Sequence, residues 1–169
     1  MRNVLAIVLA VVGSIAVTGS ASAGDRTVKI RAIEGAYRVP MKFPDTGTVP
    51  DLTESRLQIF RCTDHSVYFF TELAFAADHQ CSLSGIAESD KGALIYREDS
   101  CTLRIVADGK RIGFSDPKES CSSRCSARGH FDGIGFAMTS RRGTTKTDRS
   151  KIAAFDGEVW KRCRGRTRN

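Results

Sequence analysis

The chain has 169 residues, of which 41% are hydrophobic and 27% charged, with six cysteines and a formal net charge of +7. A chain of this length forms one domain with a substantial core, which excludes a scaffold held together by disulfides alone. The charge is uneven: residues 24–140 carry 15 Lys/Arg and 16 Asp/Glu, whereas residues 141–169 carry 10 Lys/Arg and 3 Asp/Glu. The sequence is thus a nearly neutral body with a basic C-terminal segment of the kind that attracts polyanions.

Residues 1–23 have the pattern of a secretory signal peptide. Arg2 precedes an apolar run from Val4 to about Val17, and a stretch of small residues ends at Ala23. Polar residues and a glycine interrupt the apolar run, while a transmembrane anchor needs roughly 20 consecutive apolar residues. We therefore predict cleavage after Ala23, a mature chain without a transmembrane anchor, and a periplasmic or secreted location in a Gram-negative host.

Residues 24–51 contain three of the four prolines, which remove ladder donors and fix φ. They predict an irregular lead-in with at most one short strand, at 27–33. We expect residues 52–163 to form a disulfide-stabilised β domain and residues 164–169 to form a basic tail.

The first half of the β domain shows period-two alternation of apolar and polar residues, as in strands with one buried face. Residues 57–62 and 67–70 flank a polar turn at 63–66 and predict a hairpin. The alternation then continues to residue 88, which predicts one long or bent strand over 68–88. A helix over 66–78 is the alternative.

The next elements centre on a second hairpin. A turn at 88–92 precedes a strand at 93–97, and a further strand covers 101–105. Asp108-Gly109 predicts a type I′ turn, because such a turn needs positive φ at both central residues. The returning strand, 110–115, then places Ile112 and Phe114 against Ile105 and Leu103.

The C-terminal part predicts a last pair of strands, at 133–139 and 152–160, joined by a basic loop at 140–150. No amphipathic run of 12 residues predicts a helix. The whole pattern predicts an all-β, mainly antiparallel fold, a disulfide-stapled sandwich or barrel of six to eight strands.

All six cysteines follow the signal peptide, and an even number in an oxidising compartment predicts disulfides. Cys62 and Cys163 flank the other four and are predicted to pair, closing a long loop worth about 4.7 kcal/mol in the chain-entropy model. Hairpin register leaves two pairings open for the remaining four: Cys81–Cys101 with Cys121–Cys125, or Cys101–Cys121 with Cys81–Cys125.

The segment CSSRCSARGHFDGIGF, residues 121–136, is the candidate for site chemistry. Its C-x-x-x-C spacing differs from the C-x-x-C of zinc and redox sites, and the histidines at 65, 79 and 130 are scattered. Paired cysteines leave no thiolate nucleophile. We therefore predict no catalytic residue, no metal site and no cofactor, and we interpret the segment as a stapled turn rich in serine and glycine.

Three motifs resemble a small exported β-domain of proteobacteria that is grouped loosely with periplasmic lysozyme-inhibitor-like proteins. They span residues 66–138 and read His79-x-Cys81-x-x-x-Gly85-x-Ala87, Cys101-x-Leu103-x-Ile105 and Cys121-x-x-x-Cys125-x-x-Arg128-Gly129-x-x-x-Gly133. That family often has glycine where this chain has Ser126. The resemblance implies a disulfide-containing β fold, export, and binding to another protein.

These features predict a non-enzymatic binding protein, such as an inhibitor or protective partner of a cell-wall-acting enzyme in the envelope. Rigid loops favour tight binding, because less entropy is lost on association. The candidate contact residues lie in one loop: Asp116, Glu119, Arg128, His130 and Asp132.

The alternative is a module that binds an anionic envelope polymer or lipid through its basic C-terminal segment. Its candidate contacts are Arg141, Arg142, Lys161, Arg162, Arg164, Arg166 and Arg168. No nucleic-acid partner is predicted outside the cytoplasm. A third hypothesis, a small hydrolase, would use His79 or the pair His130 and Asp132.

Overall fold

The computed structural model describes residues 28–40, 54–76 and 79–165. Within these residues, eight antiparallel strands follow one another in chain order, and each pairs with its neighbour in the sequence. The strands curve into a nearly closed barrel, with three short helices and three disulfides. The predicted fold class, mainly antiparallel β with six to eight strands, is confirmed.

The strands are β1 (Gly35–Pro40), β2 (Glu54–Arg61), β3 (Ser66–Ala74), β4 (Gln80–Asp90), β5 (Ala93–Glu98), β6 (Cys101–Ala107), β7 (Arg111–Ser115) and β8 (Gly135–Ala137). The helices are α1 (Ile30–Ile33), α2 (Lys146–Phe155) and α3 (Gly157–Gly165), and 3₁₀ turns cover Ser122–Arg124 and Met138–Ser140.

The ring of strands closes through two hydrogen bonds between its first and last segments. The N–H of Ala36 in β1 donates to the carbonyl of Arg142, and the N–H of Arg142 donates back to Ala36, both at 2.9 Å. Arg142 follows β8 by five residues, so the segment after the last strand supplies the contact that β8 itself is too short to make.

Alternating residues of each strand fill the barrel interior. In β6, Cys101, Leu103 and Ile105 are buried while their neighbours are exposed. An interior glycine makes room for an aromatic ring: a Cβ on Gly85 would lie 2.3 Å from the Tyr96 ring. Eight strands enclose a space that side chains can fill, and here they fill it.

Strand β3 is buried on both faces because helices cover its outer side. Tyr68 and Phe70 point outward, where Tyr68 packs edge-on against Trp160 at 5.7 Å and Phe70 against Phe155 at 5.6 Å. Ile152 of α2 joins this second, smaller core on the outside of the barrel. Helices α2 and α3, here called the helical layer, therefore cover the outer face of β2 and β3.

A disulfide and a capping box hold the helical layer in place. The predicted Cys62–Cys163 bridge is confirmed and joins the end of β2 to α3. Thr145 caps α2: its side chain accepts from the N–H of Asp148, while the Asp148 carboxylate accepts from the N–H of Thr145. The same carboxylate binds both terminal nitrogens of Arg142, at 3.0 and 3.2 Å.

The other two disulfides are Cys81–Cys125 and Cys101–Cys121, one of the two pairings that the sequence left open. Three disulfides in a small domain fit a periplasmic or extracellular location. The predicted signal peptide lies outside the described residues. In the described ranges, no helix is both long and apolar enough to cross a bilayer.

The prediction of one strand over 68–88 is wrong, as is the alternative helix over 66–78. Two strands, β3 and β4, form a hairpin that pairs Leu73 with Cys81. Because both partners are odd-numbered, the odd residues face the interior on both sides of the turn, and the alternation runs through the turn unbroken. The turn also lacks glycine and proline, which would have marked it.

The predicted strand at 152–160 and the loop at 140–150 are also wrong, since α2 and α3 occupy most of this region. Each helix is shorter than the run of 12 residues that was sought as a helix signal. The capping pair Thr145-x-x-Asp148 was the local sign of the helix start. The strand predicted at 133–139 is present only over Gly135–Ala137.

The lead-in also differs from its prediction. Residues 30–33 form a helical turn rather than a strand, and residues 35–40 form β1 rather than an irregular segment. The Tyr37 hydroxyl donates to the Ile33 carbonyl at 2.6 Å and fixes the turn to the strand, and burial raises the pKa of Tyr37 to about 12.

The β6–β7 hairpin, predicted around Asp108-Gly109, pairs its strands with a shift of two residues from the predicted register. Its central residues are Gly109 and Lys110, with positive φ at Gly109, as in a type II′ turn. The Asp108 carboxylate accepts the N–H groups of Lys110 and Arg111, which draws Asp108 out of the centre of the turn. Phe114 therefore faces Ile105, and Leu103 does not pair with it.

Replacing Cys62 and Cys163 together with Ala should lower the free energy of unfolding by about 2–5 kcal/mol, because the bridge closes a loop that spans nearly the whole barrel. Trp160 is the single tryptophan and belongs to the helical layer. When the variant without the bridge is unfolded in urea, the Trp160 fluorescence should therefore change at a lower urea concentration than the far-ultraviolet circular dichroism of the sheet. If both signals of the variant change together and at the same urea midpoint as in the wild type, the bridge does not have this role.

Asp148→Asn should lower the free energy of unfolding by about 2 kcal/mol at neutral pH, because the Arg142 guanidinium loses its charged partner. Arg142 and Thr145 hold the pKa of Asp148 well below its ordinary value of 3.8. The carboxylate therefore stabilises the native state fully above about pH 4, and this contribution is lost as the pH falls further. The difference between wild type and variant, measured by urea unfolding, should shrink below pH 4. Asp64→Asn, at an exposed ion pair with Arg61, is the control and should cost less than about 1 kcal/mol.

Candidate functional site

Residues 116–132, here called the stapled loop, form a rigid segment at one end of the barrel. The carboxylate of Asp116 is buried and organises its first turn. It accepts the N–H of Ser120 at 2.8 Å, the hydroxyl of Ser120 at 2.9 Å and the N–H of Cys121 at 2.9 Å. Asp116 is therefore a structural group and is not available as a binding residue.

Two disulfides join the stapled loop to different strands. Cys101–Cys121 attaches it to β6, and Cys81–Cys125 attaches it to β4. Ser126 strengthens the second attachment, since its hydroxyl accepts the N–H of Gln80 and its own N–H donates to the Gln80 carbonyl, both at 2.8 Å. The predicted stapled turn is thus fixed to the sheet at two points.

The stapled loop also closes the core beneath it. Phe131 is buried and packs edge-on against Phe114 at a ring distance of 5.8 Å. Gly129 passes close to a disulfide: a Cβ there would lie 2.6 Å from the sulfur of Cys81. Glycine is required at this position by close approach.

The four predicted contact residues other than Asp116 come together on the outside of this loop. Arg128, His130 and Asp132 line a hollow of about 220 Å³ with Glu119. The side chains of Glu119 and Arg128 are exposed and have no hydrogen-bond or ionic partner among the described residues. They are free to contact another molecule.

His130 and Asp132 do not form the acid–base pair that a hydrolase would need. The His130 ring lies against Phe75, 5.2 Å between ring centroids, and Asp132 accepts the N–H of Asp116 at 2.8 Å. The described residues contain no hydrogen bond between the two. His79 is half-buried at the turn before β4, where its carbonyl accepts the N–H of Phe75.

The described residues also contain no group of three or more His, Cys, Asp or Glu side chains arranged to hold a metal ion. All six cysteines are bridged, so none is a free thiol.

Two of the predicted polyanion contacts are committed to internal partners. Arg141 donates to the carbonyl of Ala32, and Arg142 pairs with Asp148. Asp148 raises the pKa of Arg142 above its ordinary value, as a charged partner does. Both arginines therefore hold the N-terminal segment and α2 against the barrel.

The other described basic contacts, Lys161, Arg162 and Arg164, lie in three different places. Lys161 forms an exposed ion pair with Glu158 at 2.6 Å, and Arg162 lines a hollow that also contains Glu88 and Glu98. Arg164 lines a larger cleft beside α2. Arg166 and Arg168 lie outside the described residues.

The alternation of the sequence does not predict this larger cleft, because most of its residues come from α2 and α3, where the sequence predicts a loop and a strand. Lys146 and Arg149 line it from α2, Trp160 from α3, and Arg61 from the end of β2. On a helix, residues three apart lie on one face, so the spacing of Lys146 and Arg149 was the available signal. In a loop at 140–150, the same spacing would not place the two side chains on one face.

Comparison of the chain with protein families, with curated proteins and with solved structures finds no match.

Gly129→Ala should lower the free energy of unfolding by about 1–3 kcal/mol, because the new methyl group overlaps the Cys81 sulfur. Gly143→Ala is the matched control, since a Cβ there meets nothing within 4 Å. Urea unfolding of both variants measures the difference. Equal stability of the two variants would show that the stapled loop yields at this point and is not rigid.

Proposed function

We propose that this chain is a non-enzymatic binding protein of the periplasm or cell exterior, and that the stapled loop is its contact surface for a protein partner. The observation that supports this most is the combination of a rigid loop with free polar side chains. Two disulfides and the buried Asp116 fix the backbone, while Glu119 and Arg128 point outward without partners among the described residues.

Rigidity favours binding because the loop is already ordered before association. Ordering a rotamer-rich side chain at an interface costs about 0.5–1.5 kcal/mol, and ordering a mobile loop backbone costs more. Here only the exposed side chains lose freedom on binding. Arg is also a residue type enriched at protein interfaces, since its planar guanidinium pairs with carboxylates and stacks on aromatic rings.

The charge distribution bears on the nature of the partner. Glu119 and Asp132 give the stapled loop acidic groups, whereas the exposed side of α2 and α3 is rich in Lys and Arg. A basic protein would be repelled by the helices but not by the stapled loop, where Glu119 and Asp132 balance Arg128. A cell-wall-acting enzyme with a basic surface is a partner of this kind, and the resemblance of residues 66–138 to inhibitor-like domains points the same way.

The test is binding of the disulfide-bonded protein to purified cell-wall hydrolases, measured by calorimetry, with their activity followed in parallel. Glu119→Ala together with Arg128→Ala should weaken the complex about tenfold or more, and melting curves should show that the fold is kept. The control pair is Arg38→Ala with Glu54→Ala, which removes one exposed cation and one carboxylate on β1 and β2 outside the stapled loop and should leave the affinity unchanged.

Inhibition that survives the loop variants, or that disappears only with the control pair, would refute the stapled loop as the contact surface. Measurable turnover of a cell-wall substrate by this protein alone, abolished by His79→Ala in a folded variant, would refute the non-enzymatic role.

A further inference from the structure

A cleft of about 500 Å³ lies between the end of β2 and the helical layer. Arg61 and Phe60 border it from the barrel, Lys146 and Arg149 from α2, and Trp160 from α3. This volume is within the range of small-molecule sites, roughly 300–1,000 Å³. The cleft shares no residue with the stapled loop.

The lining of this cleft carries a net positive charge. Arg61, Lys146, Arg149 and Arg164 line it together with a single carboxylate, that of Glu34. Arg61 is partly neutralised by an ion pair with Asp64 at 3.2 Å. The two positive charges of Lys146 and Arg149 alone match the charge of one phosphate group at neutral pH, about −1.5 to −2.

Two of these cations are available to a ligand. Lys146 and Arg149 are exposed, and neither side chain has an ionic partner among the described residues. They lie three residues apart on α2, so both face the cleft from the same side of the helix. A doubly charged group placed between them would gain two charge-assisted hydrogen bonds.

The cleft also has an aromatic lining that is held in place. Trp160 is half-buried, and its ring packs edge-on against Phe60 at 5.5 Å and against Tyr68 at 5.7 Å. The disulfide at Cys163 holds α3, three residues further along. The Trp160 ring is fixed beside basic groups. It therefore suits a ligand that has a flat apolar face next to a negatively charged group, and the C–H face of a sugar ring is such a face.

We propose that this cleft binds a saccharide that carries phosphate, with the phosphate between Lys146 and Arg149 and a sugar ring against Trp160. The cleft thus assigns the anion-binding role to residues other than Arg141 and Arg142, which have internal partners. This second site is independent of the proposed protein-binding function.

Trp160 is the only tryptophan of the chain, so intrinsic fluorescence reports on the cleft directly. The disulfide-bonded protein is titrated with a glucosamine disaccharide bearing two phosphates, with the same disaccharide lacking phosphate, and with inorganic phosphate. We expect a saturable change only with the phosphorylated disaccharide, weakening as salt is raised. An equal response to inorganic phosphate would overturn the sugar contact, and no response would overturn the site.

Lys146→Gln together with Arg149→Gln should weaken this binding about tenfold or more. Lys151→Gln together with Arg104→Gln removes the same charge from α2 and β6 outside the cleft, and should change the affinity less than about twofold. Equal loss in both pairs would show unspecific charge attraction and refute the cleft. The comparison of ligands on the wild-type chain does not depend on the folding of any variant.

The ligand could be free or carried on a membrane, and vesicles that contain the acylated form of the same disaccharide distinguish these sources. Binding to both forms with the same loss in the Lys146 and Arg149 variant supports the saccharide as the ligand in either setting. Binding to the vesicles alone, with the free disaccharide silent, would overturn the proposal, because a lipid surface would then be what the protein recognises.

Discussion

Side chains fill the interior of the barrel, so the candidate binding surfaces of this protein lie on its outside. Rings such as Tyr96, Phe69 and Phe136 occupy the space between the strands, and Gly85 is small only so that one of these rings can lie over it. The interior is therefore a core and not a container. Both candidate binding surfaces lie outside it, the stapled loop at one end and the basic cleft on the flank, and each is held by its contacts with the barrel.

Each outer layer is attached to the barrel by both a covalent bond and a buried charged group. The stapled loop has two disulfides and the buried Asp116, and the helical layer has Cys62–Cys163 and the Asp148–Arg142 pair. The buried carboxylates satisfy backbone N–H groups that would otherwise be unpaired in these turns. The two proposed binding surfaces therefore lie on layers that are held by disulfides and buried charges as well as by apolar packing.

The sequence predicted what depends on alternation and counting, and missed what depends on geometry between distant segments. Strand content followed from period two and the oxidised cysteines from their even number. The Cys62–Cys163 pair followed from the position of these two residues on either side of the other four. The β3–β4 turn did not, since Leu73 and Cys81 keep the same parity across it. Arg128, His130 and Asp132 were found because a loop holds them close in sequence, whereas Lys146 and Trp160 meet only once α2 and α3 fold onto β2 and β3.

The cysteine pairs are nested within one another along the chain: Cys101–Cys121 lies inside Cys81–Cys125, which lies inside Cys62–Cys163. An oxidase that joined thiols in their order along the chain would link Cys62 to Cys81 first. Reaching the native set then requires exchange of that link by a thiolate, the reaction that disulfide isomerases catalyse. A cell that makes this protein in quantity must therefore shuffle its bonds or delay their formation until the strands have paired.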